Sequence, residues 1–139
     1  LIFLNFIYIT FWIYNWHPYQ YVYFNLLSKN YAKNNFDLDY WGLSNSNSIK
    51  YILENNKKKS LIKVATVSYT SLLESTLMLD EKDKKKIIIV YEIENADFII
   101  DNHMKNMRKN FIIDSKIYTK YFEIIVDGMT INTIYKKIN

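Results

Sequence analysis

The sequence predicts an α/β fold: a small mixed-sheet domain that ends in an antiparallel hairpin and is preceded by the end of a transmembrane helix. Three observations predict it. Two β-branched runs, LIKVATV and IIIVYEI, lie either side of a stretch with helical spacing, the alternation of strand and helix that marks an α/β unit. Near the end, YTKYFEIIV and MTINTIYKKI flank Asp127-Gly128, a pair suited to the positive φ angles of a tight hairpin turn. The opening run, Leu1 to Trp16, carries no charged residue.

The opening run comes first. As a helix it would span roughly 24 Å, short of the roughly 30 Å hydrocarbon core of a bilayer. It lacks the basic start and small-residue cleavage site of a signal peptide. A helix apolar on all sides needs a large protein or lipid around it. Residues 1–16 therefore read as the C-terminal part of a transmembrane helix that begins upstream of Leu1, in a chain that is a piece of a longer protein. Trp12, Tyr14 and Trp16 cluster where an aromatic belt meets the headgroups, and Tyr19, Tyr21 and Tyr23 extend the same half-polar character. Pro18 discourages His17 from continuing the helix. The expected surface for these six rings is a membrane–water interface, with membrane lipid as partner. A soluble core element is the alternative.

Residues 17–35 read as an interfacial aromatic segment and loop, and 36–139 as a soluble α/β domain. FDLDYWG is short, alternating and aromatic-rich, ending at Gly42. SNSNSIKYILENNKKK offers several helix caps, then Ile49, Ile52 and Leu53 at helical spacing, then lysines suited to a helix C-terminus. LIKVATV reads as a strand. SYTSLLESTLML reads as a helix of about three turns, capped by Ser68 or Thr70, with Leu72, Leu73 and Leu77 as its core stripe. DEKDKKK reads as a solvated turn. IIIVYEI, apolar on both faces, is expected at the centre of the sheet. ADFIID follows as a short strand, and NHMKNMRKN as a polar loop.

Composition narrows the chemistry. Half of the 139 residues are hydrophobic and two are glycine, so the chain is neither a disordered tail nor a linker. Cysteine is absent, which removes disulfides, thiolate nucleophiles and cysteine-bound zinc. The net charge of +4 comes from lysine, with Arg108 the only arginine, and no nucleic-acid-reading motif accompanies it. Gly42 and Gly128 alone cannot build a phosphate cradle. His17 and His103 lie far apart without ligand spacing, so no metal site is expected. A Ser–His–Asp arrangement would need tertiary assembly, and no nucleophile elbow marks one.

Two further constellations stand out. Asp37 and Asp39, two apart, would share one face of a strand, where paired carboxylates can divide acid and base roles. A solvated face or a cap is their more ordinary use. Tyr40-Trp41, beside Asp39, could stack on a sugar ring or a lipid head, or seal the domain onto the membrane segment.

The order of these segments carries a resemblance. HPYQYVYFN, then FDLDYWGLS leading into a helix, then ADFII, then YFEIIVDGMTINTIYKK resembles the C-terminal part of bacterial membrane glycosyltransferases of the GT-C group. That group includes protein mannosyltransferase-like and aminoarabinose-transferase-like enzymes. The likeness runs over about residues 12 to 138, and LLSKNYAKNN stands where the group has glycine-rich spacing. The resemblance implies a many-helix enzyme of the bacterial inner membrane that takes a sugar from a polyprenyl-phosphate donor. In the full enzyme a divalent metal is compatible with this chemistry; in this fragment no cofactor is expected. The resemblance also implies a periplasmic α/β domain after the final membrane helix, although lysines from Lys29 onward would on their own hint at the cytoplasm. It places the catalytic carboxylate upstream of Leu1, so no catalytic residue carries over to this chain. Asp39, Tyr40 and Trp41 are expected to dock the domain on the upstream membrane part of the enzyme or to touch sugar. The alternative reading is a small membrane-anchored binding or structural protein without enzymatic activity.

Overall fold

The computed structural model describes residues 2–57, 60–104 and 112–138. Within them run α1 (Ile2–Trp16), a 3-10 turn (Gln20–Val22), α2 (Lys29–Asn35), α3 (Leu43–Asn55), β1 (Ile62–Thr66), α4 (Leu72–Leu77) and α5 (Glu81–Lys84). They are followed by β2 (Ile87–Ile89), a 3-10 turn (Ile93–Asn95), β3 (Phe98–Asp101), β4 (Tyr118–Val126) and β5 (Met129–Lys137). The strands form one five-stranded sheet in the order β2-β1-β3-β5-β4. β1 is parallel to β2 and β3, and β5 is antiparallel to β3 and β4. The mixed sheet and its terminal hairpin are those the sequence predicts.

Strand alternation divides the core. Ile62 and Val64 of β1, with Phe98 and Ile100 of β3, meet Ile49, Ile52 and Leu53 of α3 and Leu72 of α4 on one face. Ala65, Val67 and Ile99 pack with Ala96 and Tyr118 on the other. β3 is therefore covered on both sides, and all four of its residues are buried.

Several expectations need correction. IIIVYEI does not sit at the centre: β2 is an edge strand of three residues, with Ile88 and Tyr91 exposed. An unbroken apolar run cannot say how many neighbours a strand has, and the central place goes to FIID. FDLDYWG is a turn rather than a strand, closed by the Gly42 amide donating to the Asp39 carbonyl at 2.9 Å. Asp37 and Asp39 thus share no strand face: Asp39 is enclosed and Asp37 half-exposed. The α4 helix is shorter than three turns, and its buried face carries Leu72 and Ser75, with Leu79 just beyond; Leu73 and Leu77 are exposed. Its leucines occupy two faces, so spacing alone did not choose between them. Asp80 caps α5 by accepting from the Asp83 amide, so DEKDKKK contains a helical turn. KNYAKNN, expected within a loop, forms α2 around the buried Ala32. Most of NHMKNMRKN lies outside the described residues.

The hairpin turn gives a clean test of backbone strain. Asp127 and Gly128 have φ of 47° and 74°, and a Cβ on Gly128 would meet nothing within 4 Å. Gly128→Val should therefore cost only the left-handed conformational penalty, about 1–2 kcal/mol. Thermal melting checks it, with Gly128→Ala expected to lose less than valine. A valine variant melting with the wild type would contradict the tight turn. The β4–β5 ladder also contains two register breaks, between Lys120 and Phe122 and between Ile124 and Ile125.

α1 is helical as expected and ends at Trp16, before His17-Pro18. Its 15 residues cover about 22 Å, and among the described residues no helix is long and apolar enough to cross a membrane. It meets the domain at one end. Trp12, Tyr19 and Val22 form a cluster with Val126, Met129 and Ile131 at the hairpin tip.

Candidate functional site

The residues singled out in the sequence fall into three places. The first is the seam between α1 and the hairpin. Trp12 is only 4% exposed, with the Tyr23 ring edge-on at 5.0 Å and Trp16 at 6.4 Å. Its indole is thus enclosed by protein, whereas Tyr14 faces outward and is 83% exposed. Ile2, Phe3, Leu4, Phe6, Ile7 and Phe11 of the same helix are also exposed. One helix therefore carries a side turned into the domain and a broad uncharged apolar side turned away from it.

The second place is a buried polar network around Asp39, at the start of α3. Asp39 has no exposed surface. One carboxylate oxygen accepts the Tyr21 hydroxyl at 2.6 Å. The other accepts the Ser44 hydroxyl and, at 3.3 Å, the Ser44 amide. The carboxylate so caps a helix whose own cap position, Gly42, has no side chain to do it. Asn132 of β5 donates to the Ser44 oxygen at 2.7 Å and to the Asn45 oxygen at 2.9 Å. Asn102, just past β3, donates to the Asp39 carbonyl at 2.9 Å and to Thr70 at 2.8 Å. The network joins the aromatic segment, the turn, α3, the end of β3 and the body of β5.

Electrostatics follow from this enclosure. Burial pushes the Asp39 carboxyl above the ordinary carboxylate range, against the lowering effect of its hydrogen bonds from Ser44 and Tyr21. Burial and then the Asp39 carboxylate push the Tyr21 hydroxyl far above its usual value, so it stays a donor. Tyr19 is raised too, first by burial, although Asn47 donates to its oxygen.

The third place is the exposed pair Tyr40 and Trp41. Their rings meet edge-on at 5.1 Å and 88°, and Trp41 is 83% exposed. Trp41 borders a cleft of about 130 Å³ shared with Ser46, Ser71, Glu74, Ser75 and Met78. The structure thus brings Asp39, Tyr40 and Trp41 together in one turn but gives them opposite exposures.

Sequence reading missed Ser44, Asn45, Asn102 and Asn132 as interior residues, because SNSNS looks like a run of caps. It also missed a line of three side chains at the end of β3. The buried Asp101 accepts the His103 amide at 2.9 Å and lies 3.4 Å from Nδ1, while Nε2 is 2.8 Å from the Thr133 hydroxyl. His103 sits at φ 54°, held there by the Asp101 contact. Thr133 is buried, so this carboxylate–imidazole–hydroxyl line braces β3 against β5 and presents no accessible nucleophile. Among the described residues no group of three or more His, Cys, Asp or Glu could hold a metal ion. Comparison with protein-family models, with curated proteins and with solved structures finds no match to this chain.

Proposed function

We propose that this chain is the membrane-associated, accessory domain of a glycosyltransferase that takes a sugar from a polyprenyl-phosphate donor. In this reading it lies on the periplasmic side of a bacterial inner membrane, and the catalytic machinery belongs to the upstream membrane part of the enzyme. The observation that carries the membrane half is the outer side of α1. It is uncharged, and its large apolar side chains are exposed while Trp12 anchors the helix to the hairpin. Burying each such side chain is worth about 1.5–3 kcal/mol, so a contiguous set of them favours lipid or neighbouring membrane helices over water. The transferase half draws on the resemblance of HPYQYVYFN, FDLDYWGLS and the terminal hairpin. The accessory role draws on the carboxylates: Asp39 and Asp101, the two enclosed ones at the candidate site, are both committed to internal hydrogen bonds.

Two measurements test the halves separately. Expressed with its natural upstream sequence, the protein should stay with membranes through an alkaline carbonate wash; release into the supernatant overturns the membrane reading. Full-length protein should release labelled sugar from a polyprenyl-phosphate donor, and the 139-residue chain alone should not. Turnover by the isolated chain overturns the accessory role. Membrane retention with no transfer by the full-length protein would select the alternative, a membrane-anchored binding or structural protein.

A further inference from the structure

We infer that the cleft between Trp41 and α4 is a binding site for a saccharide without negative charge. Its lining, its backbone geometry, its charge and its size carry this. A saccharide offers apolar C–H faces ringed by hydroxyls, so its sites pair a flat aromatic ring with a few convergent polar groups. Here the ring is Trp41, and the polar residues lining the cleft are Ser46, whose hydroxyl already donates to the Leu43 carbonyl, with Ser71, Ser75 and Glu74.

The backbone that carries the ring is also fixed. Tyr40 stands edge-on to the ring, and the turn beneath is fixed by Asp39, whose carbonyl accepts both the Gly42 amide and Asn102. The tied turn fixes where the ring is presented, while the side chain itself, 83% exposed, is ordered by the ligand that covers it. Gly42 allows the close approach: its Cα sits so near the 68–71 loop that an added Cβ would lie 2.2 Å from Thr70 Cγ2. That contact sets Trp41 beside Ser71 and the first turns of α4.

Charge selects the ligand class. Among the described residues, Glu74 is the one ionisable side chain bordering the cleft, and no lysine or arginine lines it. A carboxylate accepts strongly from sugar hydroxyls, but repels an anionic sugar or a phosphate. The cleft is small, about 130 Å³, and takes no more than one sugar ring at a time. The site stands on its own geometry; its use as a seat for the acceptor's sugar rests on the transferase reading.

The test is saturation-transfer NMR on the 139-residue chain in lipid nanodiscs, which avoids sugar-based detergents. The ligands are mannose, glucose and glucuronate. Saturable binding of the neutral sugars is expected, with a dissociation constant on the order of 1 mM, and weaker binding of glucuronate. Trp41→Ala should weaken the neutral sugars at least about tenfold. Glu74→Gln should weaken them less and narrow the gap to glucuronate. Melting temperatures like the wild type would show that both variants fold. Absence of saturable binding to folded wild-type chain overturns the saccharide site, as does unchanged affinity in Trp41→Ala. Those failures leave nanodisc association, and with it the membrane reading, standing. A chain that binds sugar but does not enter nanodiscs overturns the membrane reading alone.

Discussion

Replacing Gly42 with alanine should destabilise the domain by about 3 kcal/mol or more, lowering the melting temperature by roughly 10 °C. Two costs add. Gly42 has φ 65°, where a Cβ costs about 1–2 kcal/mol. The added atom would also fall 2.2 Å from Thr70 Cγ2, 2.8 Å from Asn45 Nδ2 and 3.0 Å from Thr70 Cβ. Thr70 cannot simply turn aside. Its hydroxyl receives Asn102 at 2.8 Å, lies 2.9 Å from Ser68 and reaches Met104 at 3.2 Å, so rotation breaks a set of bonds. Overpacking of this kind typically costs about 1–3 kcal/mol by itself. A Gly42→Ala protein melting with the wild type would show that the Thr70 loop does not seat against this turn. Gly128→Ala, with open space around it, is the matched control.

Asp39→Ala should cost a similar amount, about 3 kcal/mol or more, because it leaves the Tyr21 hydroxyl, the Ser44 hydroxyl and the Ser44 amide without their acceptor. Each stranded donor is worth about 1–3 kcal/mol. Denaturant unfolding measures the loss, and increased protease cleavage near Tyr21 should accompany it as the aromatic segment detaches. Asp39→Asn removes the ionisation while also turning one of the two acceptor oxygens into a donor, so the pH dependence of its stability, not the size of its loss, reports the charge. Burial raises the folded-state value above 3.8, so the native state holds this proton more tightly than the unfolded chain. The group's contribution is therefore greatest below the ordinary carboxylate value. It declines as pH rises from there to the raised folded-state value, and is flat above. The stability difference between wild type and Asp39→Asn should shift against the wild type across that window. A difference that moved the opposite way would mean that the hydrogen bonds from Tyr21 and Ser44 outweigh desolvation.

Local signals made part of this structure legible. Asp127-Gly128 fixed the hairpin because its requirement, two positive φ angles, is a property of the two residues themselves. Ile49, Ile52 and Leu53 fixed the inner face of α3 because their spacing matches one helix side. IIIVYEI misled because apolarity on both faces also occurs in an edge strand whose one side lies under a helix. The site was legible in name and hidden in arrangement. Asp39, Tyr40 and Trp41 are visible as unusual residues, but whether a side chain is enclosed depends on partners brought from afar: Tyr21, Asn102 and Asn132. Glu74, which gives the Trp41 cleft its charge, lies in a stretch that reads only as an ordinary helix.

The two margins of the sheet bear on how such molecules behave when crowded. A free strand margin is a template on which another copy can add its own strand, and confinement to a surface raises the frequency of side-by-side encounters. On one margin the exposed ladder is only three residues long and follows the lysines at 84–86. On the other, the nine-residue strand is interrupted by two register breaks and carries the exposed Lys120. Neither margin offers a long, flat, uncharged row of amides and carbonyls. Copies concentrated in the plane of a bilayer would thus resist fusing edge to edge into a continuous sheet.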